Sequence, residues 1–187
     1  IGKFRGSLSN LSAVELGIRS VKELMNRCKI DPSSGIIDEV LFGQVLQAGA
    51  GQAPARQVAL GAGLPNTIAA TTINKVCGSS LKAVMMAANS IKAGEYKAII
   101  AGGMESMTNA PKFEKRNGDE KEMVSTMVHD GLWDVYNDVH MGNTGEIVAN
   151  ECNISREKMD AFAARSQNNA AQAEANGWFD WERFDMP

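Results

Sequence analysis

The sequence predicts an α/β fold in which a mainly parallel sheet lies between helices. Three observations carry this. Three short apolar, β-branched-rich runs, "IIDEVLFGQVL" at 36–46, "TIAATTINKVC" at 67–77 and "YKAIIAGG" at 96–103, have the length and content of buried strands. Helical periodicity precedes the first run and fills the gaps between the others. Glycine and proline punctuate the joints. Strands alternating with helices at these lengths imply βαβ units, which run parallel and cover both faces of the sheet.

The elements follow in order. Ser12 and Glu15 form a capping box, with Leu11 and Leu16 at the staple positions. Val14, Ile18, Val21, Leu24, Met25 and Cys28 then recur at helical spacing, which turns Cys28 toward the core. "DPSSG" at 31–35 ends that helix, and the first strand candidate follows. "QAGAGQAPARQVALGAGLP" reads as a Gly/Ala loop, then Pro54 in the first turn of a short helix closed by Gly63 and Pro65. After the second strand candidate comes a helix with Leu81, Val84, Met85, Ala88 and Ile91 on one face and Gly94 as its stop. The third strand candidate completes an α/β body over 1–105.

Beyond Met104 the rhythm changes. A polar loop of some 18 residues contains the mixed-charge run "KFEKRNGDEKE" at 112–122, read as a solvated loop. Short helical patches lead to a long helix in "SREKMDAFAARSQNNAAQAEANG", with Ser155 as N-cap and Gly177 at its end. Residues 106–187 therefore read as an insertion or the start of a second unit. No internal repeat or low-complexity tract is present.

The bulk properties narrow the function. A chain of 187 residues that is 44% hydrophobic can bury one sizeable core. The formal charge of −3, without a concentrated basic face, argues against nucleic-acid binding. No segment approaches the roughly 20 apolar residues of a membrane span. Cys28, Cys77 and Cys152 are odd in number and scattered, with no CxxC or His/Cys cluster, so no metal and no disulfide framework is expected. A reducing compartment fits. Both ends read as cut, since "IGKFRGSLS" opens as a loop and "FDWERFDMP" stops without a capping signal.

Cys77 stands apart from the other two cysteines. In parallel α/β sheets chemistry gathers beyond the carboxyl ends of the strands. Cys77 is placed at such an end, just before a helix whose first amides and dipole favour a thiolate. Gly78 leaves room for a substrate. The alternative is a buried, inert thiol.

The surrounding residues carry a resemblance. "INKVCGSSLKAVMMA" resembles the active-site segment of the thiolases, in particular the acetyl-CoA C-acetyltransferases. The likeness runs nearly end to end, through "GKFRGSLS", "VLFGQVLQAGAGQAPARQVALGAGLP", "AGGMESMTNAP", "HDGLWDVYNDVHMGNTGE" and "SREKMDAFAARSQNNAAQA" in order. It implies a thiolase-like N-terminal α/β domain over 1–105, with its first strand missing. Residues 106–187 would be part of an α-rich loop domain, and the C-terminal thiolase domain would be absent.

The resemblance also implies roles. Cys77 would be the nucleophile that takes an acetyl group from acetyl-CoA as a thioester, its own amide helping to hold the oxyanion. Leu132, His140 and Met141 match loop-domain positions that line the path of the pantetheine arm and acyl group. Read from the residues alone, His140 is a satisfied structural histidine before it is a ligand-binding one, and Leu132 and Met141 are core by default. The substrates implied are coenzyme A thioesters, acetyl-CoA and acetoacetyl-CoA, with no further cofactor. "NKVCGSS" and "HMG" are closer to the short-chain, acetoacetyl-CoA-forming members. A homodimer or homotetramer is implied, with the strand before Cys77 pairing between subunits. A cytoplasmic, bacterial location fits, with organellar import left open.

Some positions depart from the pattern. Ser80 replaces a usual glycine and could tighten the space beside the sulfur. Ala53 replaces the usual asparagine, and Gly145 and Ile147 replace an alanine and an asparagine. The second half of the family pattern, with an activating Gly-His-Pro histidine, an Asn-Glu motif and a Cys-x-Gly cysteine, is not in this sequence. The chain alone is therefore expected to be inactive. Rival readings are a broader 3-ketoacyl-CoA thiolase and a non-catalytic acyl-CoA-binding scaffold.

Overall fold

The computed structural model describes residues 1–117 and 119–186. Gly118, within the charged run, and Pro187, at the end of the second segment, lie outside the described residues. The fold divides into two compact units, Ile1–Gly131 and Leu132–Pro187.

In the first unit, helix α1 (Ala13–Cys28) starts at the predicted capping box. The Ser12 hydroxyl accepts from the Glu15 amide at 3.2 Å, and the Glu15 carboxylate accepts from the Ser12 amide at 2.7 Å. Two otherwise orphaned donors are thereby satisfied. The helix stops at Lys29, which takes a left-handed φ of 55°. Val21 and Met25 face the core. Cys28 does not. It is the last residue of the helix, beside the left-handed Lys29 where the chain leaves it, and is exposed.

Strands β1 (Glu39–Gly43), β2 (Ala69–Ile73) and β3 (Ile99–Gly103) form one parallel sheet in the order β2-β1-β3. Each covers five residues of a longer predicted run. Successive side chains of the central strand point to opposite faces. Val40 and Phe42 pack with Val21, Met25, Val58 and Ala59 of α1 and of α2 (Pro54–Gly61). Leu41 packs with Ala83 and Ala87 of α3 (Ser79–Ala93). Burying each large apolar side chain here is worth about 1.5–3 kcal/mol.

Helix α3 buries a different face from the one its periodicity suggested. Ser79, Ala83 and Ala87 meet the sheet, whereas Leu81 is 66% exposed and Val84, Met85 and Ile91 are exposed as well. The strand ends under the helix are glycines, and only small residues allow so close an approach.

Two local features yield tests. The Asp38 carboxylate accepts from the amides of Ala98 (2.9 Å) and Lys97 (2.7 Å), tying the start of β3 to β1. These bonds, Ala98 first, hold its pKa below the ordinary 3.8. A depressed carboxylate stabilises the fold above its unfolded pKa and loses that contribution as pH falls through the folded value. Asp38→Ala is therefore expected to lower the melting temperature at neutral pH, the gap closing below pH 3.8. A gap independent of pH would count against the carboxylate. The second feature is Ala53, the residue before α2, at φ 44° with no side-chain cap. A left-handed conformation costs an alanine about 1–2 kcal/mol, and asparagine tolerates it better. Ala53→Asn is expected to stabilise by about 1 kcal/mol, read as a rise in the denaturant midpoint.

The charged run is not a loop. It forms an antiparallel ribbon, β4 (Lys112–Asn117) with β5 (Glu120–Ser125). Arg116 and Lys121 face each other, and Glu114 lies 2.8 Å and 3.5 Å from their cationic nitrogens, offsetting the like charges. A π-helical segment, Met127–Leu132, follows.

The second unit holds a two-residue ribbon, β6 (Trp133–Asp134) with β7 (Val139–His140), then α4 (Met141–Glu151) and α5 (Arg156–Ala175). Ser155 caps α5 by accepting from the Lys158 amide at 3.4 Å, and Gly177 takes a φ of 64° just past its end. Cys152 follows the last residue of α4 and is exposed. Among the described residues no helix is long and apolar enough to cross a membrane.

Candidate active site

Strand β2 stops at Ile73, so Cys77 lies past the strand rather than at its last residue. The cause is local. The Asn74 side-chain oxygen accepts from the Val76 amide at 3.0 Å and turns the chain out of the sheet. The turn is completed by the Gly78 amide, bonded to the Lys75 carbonyl at 3.0 Å, and the Ser79 amide, bonded to that of Val76 at 3.1 Å. Within it Val76 adopts φ 47°, a left-handed conformation that a β-branched residue rarely takes. Cys77 follows and is exposed. Gly78 then stands as N-cap of α3 without a side-chain cap.

Ser79 sits beneath this turn, 4% exposed. Its hydroxyl accepts from the Lys75 amide at 2.9 Å and donates to the Val76 carbonyl at 2.5 Å. A Cβ on Gly43 would meet Ser79 and the Ser80 amide at 2.7 Å, and one on Gly103 would overlap the Ser80 hydroxyl. The start of α3 thus rests directly on the carboxyl ends of β1 and β3, and the Ser80 hydroxyl lies against Gly103. Glu105 ties the neighbouring loop, its carboxylate accepting from the amides of Val45 (2.8 Å) and Leu46 (3.3 Å). Asn74 donates to the Val45 carbonyl at 3.4 Å.

Leu132, His140 and Met141 belong to the second unit, where the β6–β7 ribbon gathers them. Trp133 pairs with His140, so Leu132 and Met141 flank one cross-strand pair. Leu132 and His140 are half-buried and Met141 is exposed. The His140 Nδ1 accepts from the Gly142 amide at 2.9 Å and caps α4. That bond places the proton of the neutral ring on Nε2. The Trp133 indole lies edge-on to the imidazole at 6.4 Å and donates to the Asp138 carboxylate at 3.0 Å. The Asp134 carboxylate, accepting from the Asn137 side chain and the Tyr136 amide, holds the connecting turn and has its pKa lowered by them.

The sequence reading passed over Asn74, Ser79, Glu105 and the glycines at 43 and 103. Asn74 carried a signal, since Asn before a turn commonly bonds its own backbone two residues on. The others did not. Among the described residues no group of three or more His, Cys, Asp or Glu is placed to hold a metal.

The model of the thiolase N-terminal domain matches residues 1–183. This chain belongs to the thiolase family. It is 52% identical over 97% of its length to the acetyl-CoA acetyltransferase of Cupriavidus necator. It is 48% identical over 97% to acetyl-CoA acetyltransferase 2 of Arabidopsis thaliana, and 49% over 96% to a probable acetyl-CoA acetyltransferase of Escherichia coli. Those matches cover 47%, 46% and 46% of the relatives, so the thiolase chain spans about half the length of the curated relatives it matches. The α/β class, with a parallel sheet between helices, is that of the family's N-terminal domain.

Proposed function

We propose that this chain supplies the acyl-carrying part of an acetyl-CoA C-acetyltransferase, with Cys77 as the nucleophile. The observation that carries the reading is the setting of Cys77. It is an exposed thiol in a strained turn at the start of α3, beyond the carboxyl ends of three parallel strands. Cys28 and Cys152 are exposed too, but each lies at the C-terminal end of a helix, where the dipole disfavours a thiolate, and only Cys77 precedes a helix start.

In the first half-reaction the Cys77 thiolate attacks the carbonyl carbon of acetyl-CoA. The tetrahedral intermediate collapses with cleavage of the carbon–sulfur bond to coenzyme A, which leaves as its thiol by taking up a proton equivalent to the one Cys77 lost, and gives acetyl-Cys77. The amides of Lys75, Val76, Gly78 and Ser79 are spent inside the turn. The family resemblance implies that the amide of Cys77 helps to hold the developing oxyanion, and we carry that role over to it. In the second half-reaction a second acetyl-CoA, deprotonated at its α-carbon, attacks acetyl-Cys77 and frees the sulfur as acetoacetyl-CoA forms. Covalent capture splits one difficult condensation into two steps. The family pattern places the base for that carbon outside this sequence. Leu132, His140 and Met141 are assigned to the pantetheine and acyl path, with Nε2–H of His140 as the donor its capping bond leaves available.

The same proposal includes a cytoplasmic setting and self-association. β2 is an edge strand, and pairing with a second copy would cover it. The test of the acyl-carrier role is a quench. Full-length protein mixed with acetyl-CoA and stopped in acid should carry acetyl on the peptide containing Cys77 and on no peptide with Cys28 or Cys152. Acetyl found elsewhere, or nowhere, sinks the assignment.

A further inference from the structure

We infer that Ser79, with Asn74 beside it, is a positioning residue that holds the Val76 turn and thereby places the Cys77 sulfur. The inference rests on the acyl-transfer reading above and adds two residues to it.

Val76 is the only β-branched residue among the described non-glycine residues with positive φ. Its shape opposes that conformation, and a strained residue persists only where its surroundings over-determine it. Here the restraints are visible on both sides of the peptide. The Val76 amide donates to Asn74 at 3.0 Å, and its carbonyl accepts from the Ser79 hydroxyl at 2.5 Å. The same hydroxyl takes the Lys75 amide at 2.9 Å, so one buried oxygen bridges the residues immediately before the cysteine. Ser79 in turn packs closely on the central strand, its Cβ and carbonyl carbon lying 2.7 Å from where a Cβ on Gly43 would be. The chain of restraint runs from the central strand through Ser79 to the backbone at Val76, and Cys77 is the next residue. A serine serving only to start a helix would bond the amides of its own first turn. This one bonds backward, to residues that precede the helix.

The test uses the full-length protein and the rate of acetyl-Cys77 formation from acetyl-CoA in a rapid acid quench. Ser79→Ala is expected to slow that step by roughly 10- to 100-fold with little change in KM, as expected for a displaced reacting atom. Iodoacetamide labelling should shift at Cys77 alone, with the exposed Cys28 and Cys152 as internal references. In a Val76→Gly background the same substitution should cost several-fold less, because glycine takes a positive φ freely. If Ser79→Ala fails to fold, Asn74→Ala carries the test at an exposed position, with a smaller loss in the same direction. A folded variant that acylates at the wild-type rate overturns the inference and leaves Cys77 as nucleophile. If the wild type never forms acetyl-Cys77, the acyl-transfer reading fails first. An unchanged ratio of Cys77 to Cys28 labelling then overturns the positioning role separately.

Discussion

Replacing Cys77 by alanine in the full-length protein is expected to abolish thiolysis of acetoacetyl-CoA, by on the order of 10⁴-fold or more, with the melting temperature little changed. The size follows from the role. Removing a covalent nucleophile takes away the intermediate itself, and what survives is the residual acceleration from binding and oxyanion donors. The small effect on stability follows from exposure, because an exposed side chain leaves no cavity when truncated. Cys77→Ser should be nearly as damaging, since a hydroxyl in the same turn is far less ionised at neutral pH than a thiol. Cys28→Ala and Cys152→Ala should leave turnover intact. Activity retained after Cys77→Ala would remove this residue from the mechanism whatever the family. Rates on acetoacetyl-CoA and on a longer 3-ketoacyl-CoA, measured on the same wild-type preparation, separate a short-chain enzyme from a broader one.

How much of this was legible in the sequence depends on how far each signal reaches along the chain. The capping box at Ser12 and Glu15 spans three residues and was read correctly, as was the cap at Ser155. The three strands and their helices came from periodicity over a dozen residues or so, and the parallel sheet followed from their alternation. The errors are non-local. Periodicity points to the exposed face of α3 as its core face because Leu81 and Met85 are larger than Ala83 and Ala87. What decides the matter is the glycine floor at 43 and 103, which lies on other strands. The ribbon of Lys112–Asn117 with Glu120–Ser125 reads as a loop in sequence because its signal is pairing between strands, not composition. At the site, Cys77 was visible from its position before a helix. The loop beside its turn carries no local signal, since Glu105 grips the amide of Val45 from 60 residues away. No local pattern reports such a bond.

The glycine floor carries the other large expectation. Gly43 has no unusual φ, so its glycine is required by space rather than by conformation. A Cβ there would press on the Ser79 backbone and Cβ and on the Ser80 amide, each at 2.7 Å. None of these is the free end of a flexible side chain, so relief requires the start of α3 to move off β1. Overpacking of this kind costs about 1–3 kcal/mol, and a backbone neighbour puts Gly43→Ala toward the upper end. The same movement carries Cys77 with it, and a displacement on the order of 1 Å at a reacting atom can cost roughly 100-fold in rate. Gly43→Ala should therefore lower the melting temperature and the rate of acetyl-Cys77 formation together. Gly145, inside α4 with nothing within 4 Å of its missing Cβ, provides the opposite case. Gly145→Ala should stabilise by about 0.5–1 kcal/mol through helix propensity alone. A Gly43→Ala protein that melts and acylates like the wild type would mean that α3 is free to shift on the sheet. Placement of the sulfur would then have to come from the turn at Val76 and not from the floor beneath it.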